Sequence, residues 1–412
     1  MKKLLFVINT LGQAGAETAL LNLLRQIDPK EYEISLYVLM GQGEMVGELP
    51  EYVRLLNGSF CESPVLSASG RRLMVRRVMA AAFRRGTVFR LLPYLIRHFF
   101  SMAAKRQIQP DKLLWRLLSD GGERFEEEYD LAVAYLEGGS AYYVSDHVKA
   151  AKKAAFIHID YELAGYNRAL DKECYLNFDR IFAVSDEAKS SFERAYPECG
   201  EKCDLFPNLL DVEGIRRKAA QPGGFDDGFK GIRILTVGRL ITQKAYDVAL
   251  EAMELLKERG EQVRWYVLGE GNQRSFLEEK RKRLGLEEDF LLPGAVKNPY
   301  PYFAQADIYV HATRFEGKSI AIQEAQILGK AILVSDCSGN REQVIQGVDG
   351  LLCELTPESI CGGIQALIHD PKLRGRLGRK AAERTFENRE GLKKLLELSA
   401  ENSAQKIPRE RL

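Results

Sequence analysis

The chain has almost no excess charge: across 412 residues, 59 Lys and Arg stand against 58 Asp and Glu, a formal net charge of +1. That balance argues against a nucleic-acid binder working by bulk charge. Long apolar runs are missing too. The nearest, residues 86–104, is broken by Arg90, Pro93, Arg97 and His98, short of the roughly 20 uninterrupted apolar residues that span a bilayer. Cysteine is sparse and scattered, and of the seven only Cys199 and Cys203 lie close together. No second pair or histidine cluster completes a zinc site, so reduced thiols in a cytosolic protein are expected. No D-x-D occurs anywhere, so no motif calls for a metal, and neither a metal nor a cofactor is expected. The opening MKKLLFVINTLG has the lysines of a secretory leader. Its apolar run is only about six residues and enters a glycine turn, which suits a buried first strand.

What is present is an alternation of short β-rich runs with helical patterns, the mark of a parallel sheet covered by helices. A first series runs LLFVIN (4–9), YEISLYVLM (32–40), DLAVAYL (130–136), AAFIHI (154–159), RIFAVS (180–185) and CDLFPN (203–208). A second runs IRILTVG (232–238), VRWYVLG (263–269), FLLPG (290–294), DIYVHA (307–312), AILVSD (331–336) and GLLCE (350–354). Between them, residues 211–230 are polar and glycine-rich and read as a linker. The expected fold class is α/β, with two doubly wound Rossmann-like domains facing a central cleft. The expected divisions are 1–210, 211–384, and a helical tail at 385–412 that packs back on the first domain. Residues 71–118 stand apart, with twelve Lys or Arg and one acid, Asp111. This insertion reads either as a basic surface for anionic membrane or as helices packed on the first domain with a solvated basic face.

In open parallel sheets, ligands bind beyond the carboxyl ends of strands. In RFEGKSIAIQEAQILGK (314–330), a helix capped by Ser319 and stopped before Gly329 puts Glu324 between Ile320 and Leu328 on an apolar arc, with Gln323 and Gln326 on the other side. A carboxylate there needs donors. Glu316 lies in the preceding turn beside Gly317, and a helix N-terminus attracts anions, so the stretch suits a ligand with both phosphates and hydroxyls. Arg239 and Lys244 follow a strand of the same series and suit a diphosphate. In the first series His158 and Glu137 end strands, as a hydroxyl or proton partner and as an acceptor-facing or structural acid. Gly12 and Gly15 allow backbone approach to a ligand. GEGNQR (269–274) lacks the third glycine of a dinucleotide fingerprint, so a nicotinamide enzyme is poorly supported.

Taken in order, GQAGAE, FAVS, FPNLLD, VGRL…QK, VLGEG and above all the E-x7-E pattern of Glu316 and Glu324 make the chain resemble a retaining GT-B glycosyltransferase of family 4. The resemblance covers nearly everything outside 71–118. It implies that Arg239 and Lys244 bind a donor diphosphate, helped by the amides of Gly317, Lys318 and Ser319. Glu316 would hold hydroxyls of the transferred sugar, Glu324 the ribose diol, and Val296 and Lys297 the base. Gly15 and Ala16 would approach the donor from the other domain, and His158 would sit by the reacting sugar. Two departures stand out: Ala245 follows Lys244 where a glycine is common, and Lys318 replaces an aromatic. The implied partners are a nucleotide sugar, with uridine preferred, and a glycan or lipid-linked acceptor of a bacterial surface polysaccharide. Nucleic acid is not among them. The implied location is cytoplasmic, on the inner membrane face. Rival readings are a nucleotide-sugar epimerase of similar architecture and a non-catalytic binding subunit.

Overall fold

The computed structural model describes residues 1–65, 68–104, 110–162, 168–171, 173–386 and 389–400. The chain divides into two compact units, Met1–Asn208 with Asn388–Leu412, and Leu209–Glu387. Each is built on one wholly parallel sheet. In the first, β1 (Lys2–Ile8), β2 (Tyr32–Val38), β3 (Val53–Leu55), β4 (Tyr129–Ala134), β5 (Ala150–Ile157), β6 (Arg180–Ala183) and β7 (Cys203–Leu205) lie in the order β3-β2-β1-β4-β5-β6-β7. In the second, β8 (Ile232–Val237), β9 (Val263–Leu268), β10 (Phe290–Gly294), β11 (Ile308–His311), β12 (Ala331–Ser335) and β13 (Leu351–Cys353) lie in the order β10-β9-β8-β11-β12-β13. Helices cover both faces of such a sheet, so its strands read as continuous apolar runs rather than alternations. Leu4 to Ile8 are all fully buried, as are Ile332, Leu333 and Val334.

Strand order reverses once in each sheet, between β1 and β4 and between β8 and β11. At such a switch point the loops beyond the strand ends diverge to opposite faces and leave a crevice. The loops after β1, β4, β8 and β11 are therefore the ones placed to hold a ligand.

The structure departs from the sequence reading in three places. Strand β3 has three residues at the sheet edge, too short to show a period. The stretch 211–230 is not a free linker. It opens with the helix Val212–Ala219, whose N-cap Asp211 accepts the Gly214 amide at 2.8 Å. It then folds onto the second unit, where Asp227 accepts from Arg233 at 3.0 Å, Arg264 at 2.9 Å and the Tyr266 hydroxyl. Burial opposes charge on Asp227, but these donors outweigh it and hold the carboxyl below its ordinary range. Finally, the insertion forms the helices Ala68–Phe83, Thr87–Ala104 and Pro110–Gly121, joined through Ala82, Leu91 and Leu117. Its Arg116 does not belong to the basic face. It is buried, bonded to Asp146 at 2.7 Å and to the Asp171 carbonyl at 3.0 Å, with its guanidinium 3.8 Å from the Tyr142 ring centre. The helix Arg389–Ala400 packs on β4 and β5. All seven cysteines are free.

Because three side-chain donors and the Phe229 amide converge on Asp227, Asp227→Ala is expected to destabilise the second unit by about 2 kcal/mol, read as a lower urea midpoint. An unchanged midpoint would show that this stretch is not anchored through Asp227.

Candidate donor site at the strand ends

In the second unit, the loops after β8 and β11 are sewn together by their backbones. The Gln243 carbonyl accepts the Arg314 amide at 2.8 Å and the Thr313 hydroxyl at 3.0 Å, and the Gln243 side chain donates to the Phe315 carbonyl at 2.8 Å. From β12, Ser335 accepts the Thr313 amide and donates back to the Thr313 carbonyl, at 2.9 and 2.7 Å. Ala245 completes the first loop in the left-handed region at φ +47°, the conformation glycine adopts without strain. An alanine here thus holds a backbone conformation that suits glycine. Gly339 backs the second loop: a Cβ there would meet the carbonyl oxygens of Gly317 and Glu316 at 2.1 and 2.2 Å.

This frame brings Lys244 and Glu316 together as an ion pair with side-chain exposures of 13% and 12%. His311, at the end of β11, completes the cluster. Its Nε2 lies 3.0 Å from Glu316 Oε2 and 3.3 Å from Lys244 Nζ, while Nδ1 faces the Tyr309 hydroxyl at 3.1 Å. A tyrosine donating to Nδ1 leaves the proton on Nε2, directed at the carboxylate. Burial pushes the imidazole pKa down, and the Lys244 charge adds to that push. Burial opposes charge on Glu316, but Lys244 and His311 overcome it and hold its carboxyl at about 2. The result is a fixed carboxylate beside a fixed ammonium at the switch point. Arg239, just beyond β8, is exposed, and its guanidinium makes no hydrogen bond or ion pair among the described residues.

The E-x7-E helix spans Ile320–Ile327, with Ser319 as N-cap residue and Gly329 at φ +65°. The Ser319 side chain accepts no capping hydrogen bond, so it leaves the first-turn amides available to an anion. Contrary to the expected two-sided wheel, Gln323 and Gln326 are buried as well as Glu324, and the helix is enclosed nearly all round. Gln326 donates to the Gln343 carbonyl at 2.6 Å. Lys318 lines a polar cavity of about 340 Å³ with Gln323, Gln343 and Arg384. Glu324 already has a protein donor, the Tyr300 hydroxyl at 2.9 Å. Burial still raises its pKa to about 7, against the pull of Tyr300 and Lys218. Val296 and Lys297 lie in the loop between β10 and the helix Tyr300–Gln305. That loop reaches the end of the helix Val212–Ala219 through Asn298, which donates to the Lys218 carbonyl at 3.1 Å.

The first unit has a corresponding group at its own switch point. Asn9, after β1, donates to the Glu137 carbonyl at 3.3 Å and accepts the Ser140 amide at 2.8 Å, tying the ends of β1 and β4. The Glu137 carboxylate accepts the His158 amide at 3.1 Å, so two residues singled out separately meet. The His158 ring lies near Tyr135 and Phe156, and its Nε2 is buried without a hydrogen-bond partner. Burial lowers its pKa to about 4 against the pull of the Tyr135 carbonyl, so the ring is neutral at pH 7 and Nε2 is an open acceptor. Gly15 and Ala16 begin the helix Gly15–Arg25, whose N-cap Ala14 supplies no side-chain cap. A Cβ at Gly12 would meet the Val65 side chain at 3.0 Å. In GEGNQR the glycines serve packing. A Cβ at Gly269 would meet the Gly238 carbonyl at 2.0 Å, and one at Gly271 the Leu240 carbonyl at 2.1 Å.

A folded-state pKa for Glu324 raised from 4.5 to about 7 favours the native state only while the group is protonated. That stability is full below the unfolded value and is lost as pH rises through about 7. Relative to Glu324→Gln, wild type is expected to lose about 3 kcal/mol of unfolding free energy between about pH 5 and pH 8. Urea titrations of both proteins check this, and a pH-independent difference would contradict it.

Residues 226–384 match the family model described as "Glycosyl transferases group 1". A Campylobacter jejuni N-acetylgalactosamine-N,N'-diacetylbacillosaminyl-diphospho-undecaprenol 4-alpha-N-acetylgalactosaminyltransferase is 34% identical over 220 residues, covering 53% of this chain and 58% of that one. The alpha-D-kanosaminyltransferase of Streptomyces kanamyceticus is 26% identical over 213 residues, or 49% and 54% of the two chains. The chain thus spans only about half the length of these curated relatives. Among solved structures, Anabaena HepE in complex with UDP and glucose aligns over 97% of this chain and 98% of that one, with TM-score 0.65 and 15% identity. A Staphylococcus aureus TarM mutant complex containing UDP aligns over 97% and 100%, with TM-score 0.68 and 12% identity. Residues 226–384 thus match the glycosyl transferases group 1 model, within a chain that has the two-domain GT-B fold.

Proposed function

We propose that the chain is a retaining glycosyltransferase of family 4, moving a sugar from a nucleotide diphosphate, with uridine as the preferred base, to a glycan or lipid-linked acceptor. The observation that carries this reading is the Lys244–Glu316–His311 cluster at the switch point of the group 1 domain. A departing nucleoside diphosphate gains negative charge. Lys244, the unpaired Arg239 and the amides at Gly317, Lys318 and Ser319 are placed to stabilise it before the bond breaks, which is how preorganised electrostatics lowers a barrier. Glu316, kept ionised, accepts hydrogen bonds from hydroxyls of the transferred sugar and faces the positive charge that develops at its anomeric carbon. Glu324 accepts from the ribose diol beside Tyr300, and the loop carrying Val296 and Lys297 receives the base.

In the first unit, His158 sits by the reacting sugar as a hydroxyl or proton partner, with Glu137 fixing the backbone that carries it. Gly15 and Ala16 offer amides at a helix start. The absence of D-x-D and the presence of two cations fit a diphosphate held by side chains, without a bridging metal. Retention of configuration rests on the family resemblance, and the choice of uridine also on the UDP-containing structures of similar fold. A lipid-linked acceptor on the cytoplasmic membrane face, within bacterial surface polysaccharide synthesis, draws support from the name of the Campylobacter relative.

The test is a panel of nucleotide sugars scored by thermal shift and nucleoside diphosphate release, with and without membrane lipid extract. One donor is expected to stabilise the protein and release its nucleotide faster with lipid. Glu316→Gln, which keeps a hydrogen-bonding group beside Lys244, is expected to lower release by roughly 10²-fold or more, with circular dichroism verifying that it is folded. Stabilisation without release under any condition would point to a binding subunit and contradict the transferase reading.

A further inference from the structure

Nine of the fifteen large apolar side chains exposed among the described residues lie between Val75 and Leu114, so the exposure is concentrated rather than scattered. Most of it belongs to the helix Thr87–Ala104. Thr87, Leu91 and His98 are its buried side. At 100° per residue, Phe99, Leu92, Ile96, Phe89 and Phe100 follow one another over an arc of about 100° on the outer side. All five are exposed, Phe89 at 71% and Phe100 at 67%. Arg97 and Arg90, also exposed, continue the arc at its edge. The preceding helix Ala68–Phe83 exposes Val75, Met79 and Phe83, at i, i+4 and i+8, with Arg72 and Arg76. Arg84 is exposed at the joint between the two.

We infer that this face is a docking surface for an anionic lipid bilayer, lying in the headgroup–acyl boundary with its phenylalanines inserted and its arginines on lipid phosphates. The sequence from 68 to 104 contains no Asp or Glu, so the charge around the apolar arc is of one sign. That is complementary to acidic headgroups. A second copy docked on the same face would bring two sets of these arginines together, which like-charge repulsion opposes. Spanning is ruled out on separate grounds. The helix, at about 27 Å, is interrupted by Arg90, Pro93 and Arg97, and no described helix is long and apolar enough to cross a membrane. The inference concerns where the protein sits, and does not depend on which sugar or base it uses.

Co-sedimentation of the full chain with phosphatidylcholine vesicles, with and without phosphatidylglycerol, tests it without any donor present. Wild type is expected to partition onto the acidic vesicles, less so as salt is raised. The pair Arg90→Gln/Arg97→Gln is expected to lower that partition roughly 25-fold, about five-fold per charge, and Phe89→Ser/Phe100→Ser about ten-fold or more. Circular dichroism verifies that both variants are folded. Failure of wild type to bind acidic vesicles, or equal binding by folded variants, would overturn the inference. So would wild-type self-association that the phenylalanine substitutions abolish, since that would assign the face to a second copy. A negative result here would leave nucleotide release untouched, and a failed donor screen would leave vesicle binding untouched.

Discussion

The site depends on one interaction, the ion pair of Lys244 and Glu316 held largely out of water. Removing two charges from solvent costs several kcal/mol per ion, and the attraction regained offsets this only when geometry and further hydrogen bonds are good. His311 supplies the further bond, Tyr309 fixes the imidazole, and the backbone ties through Gln243, Thr313 and Ser335 fix the loops. Such an arrangement is poor as a source of stability, because an apolar pair of similar volume would avoid the desolvation. It is effective as a charge distribution that need not reorganise when a ligand's charge changes. Removing the Glu316 carboxylate leaves the Lys244 charge without its counter-ion, and Gln, unlike Ala, keeps the volume and a hydrogen-bonding group there.

The topology explains why these residues meet. Both sheets reverse strand order beside their first strand, and in each unit the loops on either side of the reversal carry the candidate site residues. In the second unit these are the loops after β8 and β11, with Arg239, Lys244 and Glu316. In the first they are the loops after β1 and β4, with Gly15, Ala16 and Glu137. Glycine serves the same end at Gly269, Gly271 and Gly339, where backbone lies against backbone and a Cβ has no room. The loops can then approach closely enough for side chains on different strands to share one cluster.

The sheets were legible because buried parallel strands are apolar runs, and twelve of the thirteen strands stand out that way; β3 is too short to show. Glu324 was legible as an anomaly, a carboxylate on an apolar arc. Its protein partner was not, since Tyr300 lies 24 residues earlier and meets it only through the fold. His311 was hidden for a related reason. Inside the run DIYVHA it reads as one more buried strand residue, and only its position as the last residue of β11 turns it toward Glu316. Gln323 and Gln326 were placed on the solvent side because glutamine is usually exposed, whereas this helix is covered on that side too. The helix Val212–Ala219 was obscured by polar and glycine-rich composition, although Asp211 three residues before Gly214 is a capping signal.

The central claim is a division of labour inside the ion pair: Lys244 for the diphosphate, Glu316 for the sugar. Calorimetric titration with a nucleoside diphosphate and with the matching nucleotide sugar separates the two roles. Lys244→Met should weaken both ligands about ten-fold or more, the value of a lost charged hydrogen bond. Glu316→Gln should weaken the nucleotide sugar while leaving the diphosphate bound as in wild type. If both variants bound both ligands with wild-type affinity, the cluster would be structural and the donor site would lie elsewhere.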